Sequence, residues 1–154
     1  SLPSRGLGDV YKRQPQKSEA SLFCGGERVA RETEGNFLTP ALFIDTHNNM
    51  RINQEEIFGP IASVIKVKNY DEALNIANDT EFGLSAGIVT NSLKHASHFK
   101  RHSQSGIAQV NLPTAGVDYH VPFGGTKSSS YGAREQGQYA KEFYTTVKTS
   151  YTAS

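Results

Sequence analysis

Residues 61–111, IASVIKVKNYDEALNIANDTEFGLSAGIVTNSLKHASHFKRHSQSGIAQVN, alternate short apolar runs with stripes of helical period, and that alternation decides the fold. Ile61 to Val67 reads as a strand. A helix follows from Asp71 to about Asn78, with Asn69 as its N-cap, Glu72 three residues later, and Ala73, Leu74 and Ala77 on one face. Ser85 to Thr90 is again strand-like, Ser92 to about His102 is a second helix behind a cap at Asn91, and Gly106 to Asn111 is a further short strand. Strand, helix, strand, helix, strand at this spacing predicts an α/β fold, a mostly parallel sheet joined by right-handed crossover helices.

Toward the N-terminus, Ala20 to Cys24 is a candidate strand ended by Gly25-Gly26. Phe37 to Ile44 is another, and Pro40 within it argues for an edge or an irregular stretch. Toward the C-terminus, Leu112 to Tyr131 forms a long loop carrying Pro113, Gly116, Pro122, Gly124, Gly125 and a serine run. Tyr119, Val121 and Phe123 give it apolar anchors, so an ordered loop is expected. A short helix from about Arg134 to Phe143 precedes Tyr144 to Tyr151, which reads as a terminal strand in need of another edge.

The composition narrows the classes of function. The 154 residues are 36% hydrophobic and 20% charged, which fits one domain with an ordinary core. A formal net charge of +1 with interspersed signs supplies no basic stripe for nucleic acid. The single cysteine excludes an internal disulfide, and no apolar run approaches the roughly 20 residues of a membrane span. A soluble, cytoplasmic protein is the expectation. Residues 1–14, SLPSRGLGDVYKRQ, lack the apolar centre of a signal peptide and break the pattern of the rest; they read either as a foreign prefix or as a natural loop, and 1–19 as disordered.

Three sets of residues invite a chemical role. His95, His98 and His102 share a helical face at metal-ligand spacing, yet no carboxylate or cysteine in that helix completes a set, so a solvated face away from Leu93, Ala96 and Phe99 is expected. Cys24, inside an apolar strand, reads as a buried and inert thiol. Gly124-Gly125 with Lys127 lacks the spacing of a phosphate loop, and His120 reads as a structural loop residue.

The string Glu55-Glu56-Ile57-Phe58-Gly59-Pro60 is different, since adjacent carboxylates, an aromatic and a rigid turn beside an apolar strand are costly unless something polar sits there. Taken with Ala73-Leu74, Ala77-Asn78-Asp79-Thr80, Phe82-Gly83-Leu84-Ser85-Ala86-Gly87 and Pro122-Phe123-Gly124-Gly125-Thr126-Lys127, it resembles the C-terminal third of an aldehyde dehydrogenase, from about Ser21 to Tyr151. The resemblance implies that 20–139 is the C-terminal part of the catalytic domain and 140–154 an oligomerisation tail pairing with a neighbouring subunit, hence a homo-oligomer.

It also implies the chemistry. A cysteine thiolate attacks the aldehyde, hydride leaves to NAD or NADP, and water hydrolyses the thioester. By resemblance, Glu56 accepts hydrogen bonds from the nicotinamide ribose and Phe58 packs beside the nicotinamide ring. The alternative is an exposed acidic turn with Phe58 in the core. Phe123, with Pro113 and Val117 before it, corresponds to the wall of the substrate tunnel, though Phe123 also suits plain core packing. Cys24 lies too close to Glu56 along the chain to be the family's nucleophile, and neither that cysteine nor the base glutamate is found, so the chain alone is expected to be inactive. Where many relatives have Lys-x-Ser-Gly-x-Gly, this chain has Lys127-Ser128-Ser129-Ser130-Tyr131-Gly132. That variation, continued through Ala133-Arg134-Glu135-Gln136-Gly137 and taken together with Asn111 to Pro122, resembles the branch oxidising 2-oxoglutarate semialdehyde (2,5-dioxopentanoate). A noncatalytic module that assembles with full-length subunits, and an unrelated α/β binding domain, are the competing readings; the choice of NAD or NADP stays open.

Overall fold

The computed structural model describes residues 20–154, so the expectations for 1–14 and 1–19 lie outside the described residues. The chain forms two compact units, one ending at Lys68 and the other beginning at Asn69.

The first unit contains β1 (Ser21–Cys24), β2 (Arg28–Val29), β3 (Phe37–Leu38), β4 (Ala41–Ile44), α1 (Arg51–Gln54) and β5 (Ile61–Ser63). Its main sheet has the order β1-β4-β5, with β4 antiparallel to β1 and parallel to β5; β2 and β3 form a separate antiparallel pair. Strand β4 reads Ala-Leu-Phe-Ile, and its pleat turns Ala41 and Phe43 into a core completed by Ile52, with Met50, Ile57 and Ile61 packed around it. The expected strand Phe37 to Ile44 is split in two at Pro40. Thr39 belongs to one ladder, donating to the Glu27 carbonyl at 2.9 Å, whereas Ala41 begins another by donating to the Pro60 carbonyl at 2.9 Å. Proline has no N–H with which to carry a single ladder through. Beyond β4, the buried Thr46 donates its hydroxyl to the Val64 carbonyl at 2.9 Å and closes the end of the parallel pair.

Cys24 departs from expectation. It lies on a strand as predicted, but all four residues of β1 are exposed, so the thiol is not buried. The strand is the edge of its sheet, and an apolar sequence alone does not supply a covering layer.

The second unit contains α2 (Tyr70–Asn78), β6 (Phe82–Gly83), β7 (Ser85–Ile88), α3 (Leu93–His102), β8 (Ile107–Val110), β9 (Thr126–Lys127), a 3-10 turn at Gly137–Tyr139 and α4 (Ala140–Tyr144). Strands β7 and β8 pair in parallel around α3, the crossover unit the alternation predicts, while β6 pairs antiparallel with β9. Asn69 caps α2 by accepting the Glu72 N–H at 2.9 Å. The cap of α3 is Ser92 rather than Asn91: its hydroxyl accepts from His95 N–H at 3.2 Å, one position closer to the first helical turn. Leu74 and Phe99 are the buried residues of these helices, whereas Leu93 is 85% exposed and Ala77 faces solvent.

The histidine face is also not simply solvated. His95 stacks on Tyr70 with ring centroids 4.3 Å apart, Tyr70 and His98 share a hydrogen bond of 2.9 Å, and His98 stacks on His102 at 3.8 Å. Tyr70, at the start of α2, is the aromatic partner that the spacing within α3 could not reveal. Burial, and after it the Asp71 carboxylate, push the Tyr70 phenol above its ordinary value of 10.0. No three of His, Cys, Asp and Glu are grouped to hold a metal among the described residues.

The expected mostly parallel sheet is therefore corrected to a mixed arrangement: among the described residues, parallel β4/β5 and β7/β8 occur with antiparallel β1/β4, β2/β3 and β6/β9, in four small sheets. The βαβ pattern identifies which neighbours run parallel, but it carries no information about short return strands such as β9. Residues 145–154 form no strand, because a strand exists only when another edge satisfies its backbone. No described helix is long and apolar enough to cross a membrane.

Candidate functional site

In the first unit, the Glu55–Pro60 turn is fixed at both ends and open in the middle. It leaves α1 at Glu55, whose N–H donates to the Arg51 carbonyl at 2.9 Å and whose carboxylate pairs with Arg51 Nε at 2.7 Å. Ile57 packs against the core, and the Pro60 carbonyl receives Ala41. Between these anchors, Glu56 is exposed and has no hydrogen-bond or ion-pair partner among the described residues. Phe58 is 92% exposed, which excludes the core-packing alternative, and its φ of 53° is in the left-handed region. Bulky residues seldom adopt that conformation, and when they do the surrounding structure imposes it. The turn thus presents a free carboxylate and an uncovered aromatic ring two residues apart. That pair suits a group with hydroxyls to donate and a flat face to cover.

In the second unit, Pro113, Val117 and Phe123 lie on the one loop that follows β8. Its entry is set by Asn111, in a left-handed conformation with φ 56°, whose amide side chain donates to Thr90 O at 2.9 Å and accepts from Thr90 N–H at 2.8 Å. The side chain thereby copies one more rung of the β7/β8 ladder. Pro113 is exposed, and Val117 and Phe123 are half-buried. Phe123 is neither core nor free: its N–H and carbonyl exchange bonds of 2.7 and 2.9 Å with Glu135. Lys127 Nζ donates to the carbonyls of Asn78 at 2.5 Å and Thr80 at 2.9 Å, capping the C-terminal end of α2. Asn78 in turn donates to the His102 carbonyl and accepts from Gln104 N–H, both at 2.9 Å. The lysine beside the glycine pair is thus a structural clamp. The sequence reading missed Ser129, Ser130 and Arg134, which hold the loop; the serine run was the available signal.

The aldehyde dehydrogenase family model matches residues 9–150. The chain belongs to the aldehyde dehydrogenase family. Among its relatives in that family, an alpha-ketoglutaric semialdehyde dehydrogenase of Bacillus subtilis is 43% identical over 141 residues, covering 90% of this chain and 29% of the relative. An alpha-ketoglutarate semialdehyde dehydrogenase of Haloferax volcanii is 48% identical over 136 residues, 86% of this chain and 28% of that protein. Among solved aldehyde dehydrogenases, the indole-3-acetaldehyde dehydrogenase of P. syringae in complex with NAD+ and IAA superposes with a TM-score of 0.80 at 37% identity, covering 92% of this chain and 27% of that one. The chain therefore spans under a third of the length of these relatives, and its similarity to semialdehyde dehydrogenases agrees with the branch that Lys127–Gly137 together with Asn111–Pro122 resembles.

Proposed function

We propose that this chain is the C-terminal part of the catalytic body of an NAD(P)-dependent aldehyde dehydrogenase acting on 2-oxoglutarate semialdehyde, with 20–139 in the catalytic domain and 140–154 as an oligomerisation tail. The observation that carries the reading is the exposed, unpartnered Glu56 beside the uncovered ring of Phe58 on a turn held at both ends. When bound, the cofactor would supply the hydride acceptor. Glu56 would hold it by accepting from ribose hydroxyls, each a charge-assisted bond, and Phe58 would shield the nicotinamide from water. Phe123, Pro113 and Val117 provide apolar surface that desolvates the aldehyde. The nucleophile and the base come from residues outside this chain. Cys24, exposed on β1, has no part in the reaction.

The test is to exchange this chain for the matching 141 residues of the Bacillus subtilis relative and follow NADH and NADPH formation with 2-oxoglutarate semialdehyde and a simple aliphatic aldehyde. Turnover is expected in the chimera, favouring the semialdehyde, with Cys24→Ser indistinguishable from the unsubstituted chimera. Turnover by the isolated chain would overturn the reading. A second reading, a noncatalytic module that assembles with full-length subunits, is favoured by the exposure of Val147 at 97% and Tyr151 at 94% in the tail. Removal of 145–154 abolishing assembly while the chimera shows no activity would select it.

A further inference from the structure

The Gly124-Gly125 step after Phe123 is held by side chains. Gly125 is buried; its N–H donates to the Ser130 hydroxyl at 2.6 Å, and its carbonyl accepts from the Arg134 guanidinium. Gly124, at φ 154°, lies under Arg134, where a Cβ would stand 2.8 Å from Nη1 and 2.9 Å from Cδ. Ser129 ties the same loop to β6 by accepting from Gly83 N–H at 2.9 Å. On one side of the step Phe123 pairs with Glu135, and on the other Thr126 pairs with Gly83. Gly125 therefore has both its backbone polar groups satisfied by side chains from 130–134, its N–H in the Gly124–Gly125 peptide by Ser130 and its carbonyl in the next peptide by Arg134, at the step in the 123–127 segment that no backbone ladder supports.

We propose that Ser130, together with Arg134, is a positioning residue: it fixes the backbone path through Gly124-Gly125 and so aims Phe123 at the aldehyde. The inference rests on the reading of Phe123 as part of the substrate wall. Glycine is so permissive that two in succession leave the direction of the preceding residue undetermined unless something clamps the peptide between them. A buried N–H also requires an acceptor, and in this loop the serine hydroxyl supplies it. In the pattern Lys-x-Ser-Gly-x-Gly, the position of Ser130 falls on a glycine, which has no hydroxyl to offer. The serine is therefore a specific addition to the clamp rather than a filler in a polar run.

Two readouts test the proposal: amide exchange at Gly125 in the 154-residue chain, and steady-state kinetics in the chimera. Ser130→Ala is expected to speed Gly125 exchange about tenfold and to raise KM for the aldehyde about fivefold with kcat within about twofold, while Ser130→Thr, which keeps the hydroxyl, restores both. Phe123→Ala serves as the control and is expected to raise KM at least as much. Unchanged exchange in Ser130→Ala would overturn the clamp. Faster exchange with an unchanged KM, when Phe123→Ala does raise KM, would overturn the positioning role. If Phe123→Ala itself leaves KM unchanged, the reading of Phe123 as substrate wall falls, and the aim of the clamp falls with it.

Discussion

The turn at 55–60 and the loop at 123–135 use their side chains in opposite ways. In the turn, backbone and apolar anchors do the holding, and the carboxylate of Glu56 and the ring of Phe58 are left without partners. In the loop, Ser129, Ser130, Arg134 and Lys127 are spent on backbone groups, and a half-buried Phe123 is held between them. An exposed carboxylate is solvated by water and stays available to a ligand, whereas side chains bonded to backbone groups serve geometry. On the proposed reading, the contrast separates residues that would contact a ligand from residues that place them.

The harshest way to break the loop is through its closest backbone approach. Gly106 packs on Gly124 and Gly125, and a Cβ there would stand 2.8 Å from Gly125 Cα with backbone as its neighbour, so nothing flexible can give way. Gly106→Ala is expected to destabilise the chain by about 3 kcal/mol, the upper end of overpacking costs, as read by urea unfolding. A loss within about 0.5 kcal/mol, the scatter of neutral surface substitutions, would show that the loop is looser than its hydrogen bonds imply.

The contrast also explains what was legible in the sequence. Elements with a period or a cap were readable: α2 with Asn69 and Glu72, the β7-α3-β8 crossover, and the interruption that Pro40 imposes. Of the candidate site, the turn drew notice by its adjacent carboxylates and aromatic, and the roles expected for Glu56 and Phe58 came from the family resemblance; the structure gives Glu55 a local use in its pair with Arg51 and leaves Glu56 and Phe58 exposed. The clamp was not found. Its bonds join Gly125 to Ser130 and Arg134, Gly83 to Ser129, and Asn78 to Lys127, and no periodicity announces such pairings. For the same reason the short helix α1, without a side-chain cap, and the exposure of Cys24 escaped notice; both depend on what packs nearby in space.

A milder change sharpens the comparison by altering the turn in the favourable direction. Phe58 buries almost nothing, so its removal forfeits little packing, while its left-handed φ strains any residue with a Cβ. Phe58→Gly is expected to raise stability by about 0.5–1 kcal/mol, the relief of strain being partly offset by the entropy that glycine gains when unfolded. Phe58→Ala keeps the strain and should not stabilise. In the chimera, both substitutions should raise KM for the cofactor, so that Phe58→Gly gains stability and loses function together. A stability loss in Phe58→Gly would mean that the ring contributes to folding after all.

The smallest expected effect on stability is the most informative about the turn. Glu56 has no partner among the described residues, so Glu56→Gln should leave unfolding free energy within about 0.5 kcal/mol. The amide keeps one oxygen acceptor but loses the charge and the second oxygen, so two charge-assisted bonds to a diol become one neutral bond. A weakening of cofactor binding by about tenfold is expected in the chimera, and NAD+ titration would measure it. Had Glu56 been a structural residue, the order would be reversed, with stability falling and cofactor affinity holding. Because the substitution is nearly isosteric and the site is exposed, neither packing nor desolvation can mimic the expected result. The split between an unchanged fold and a weakened ligand therefore distinguishes a group kept free for binding from one that merely lies on the surface.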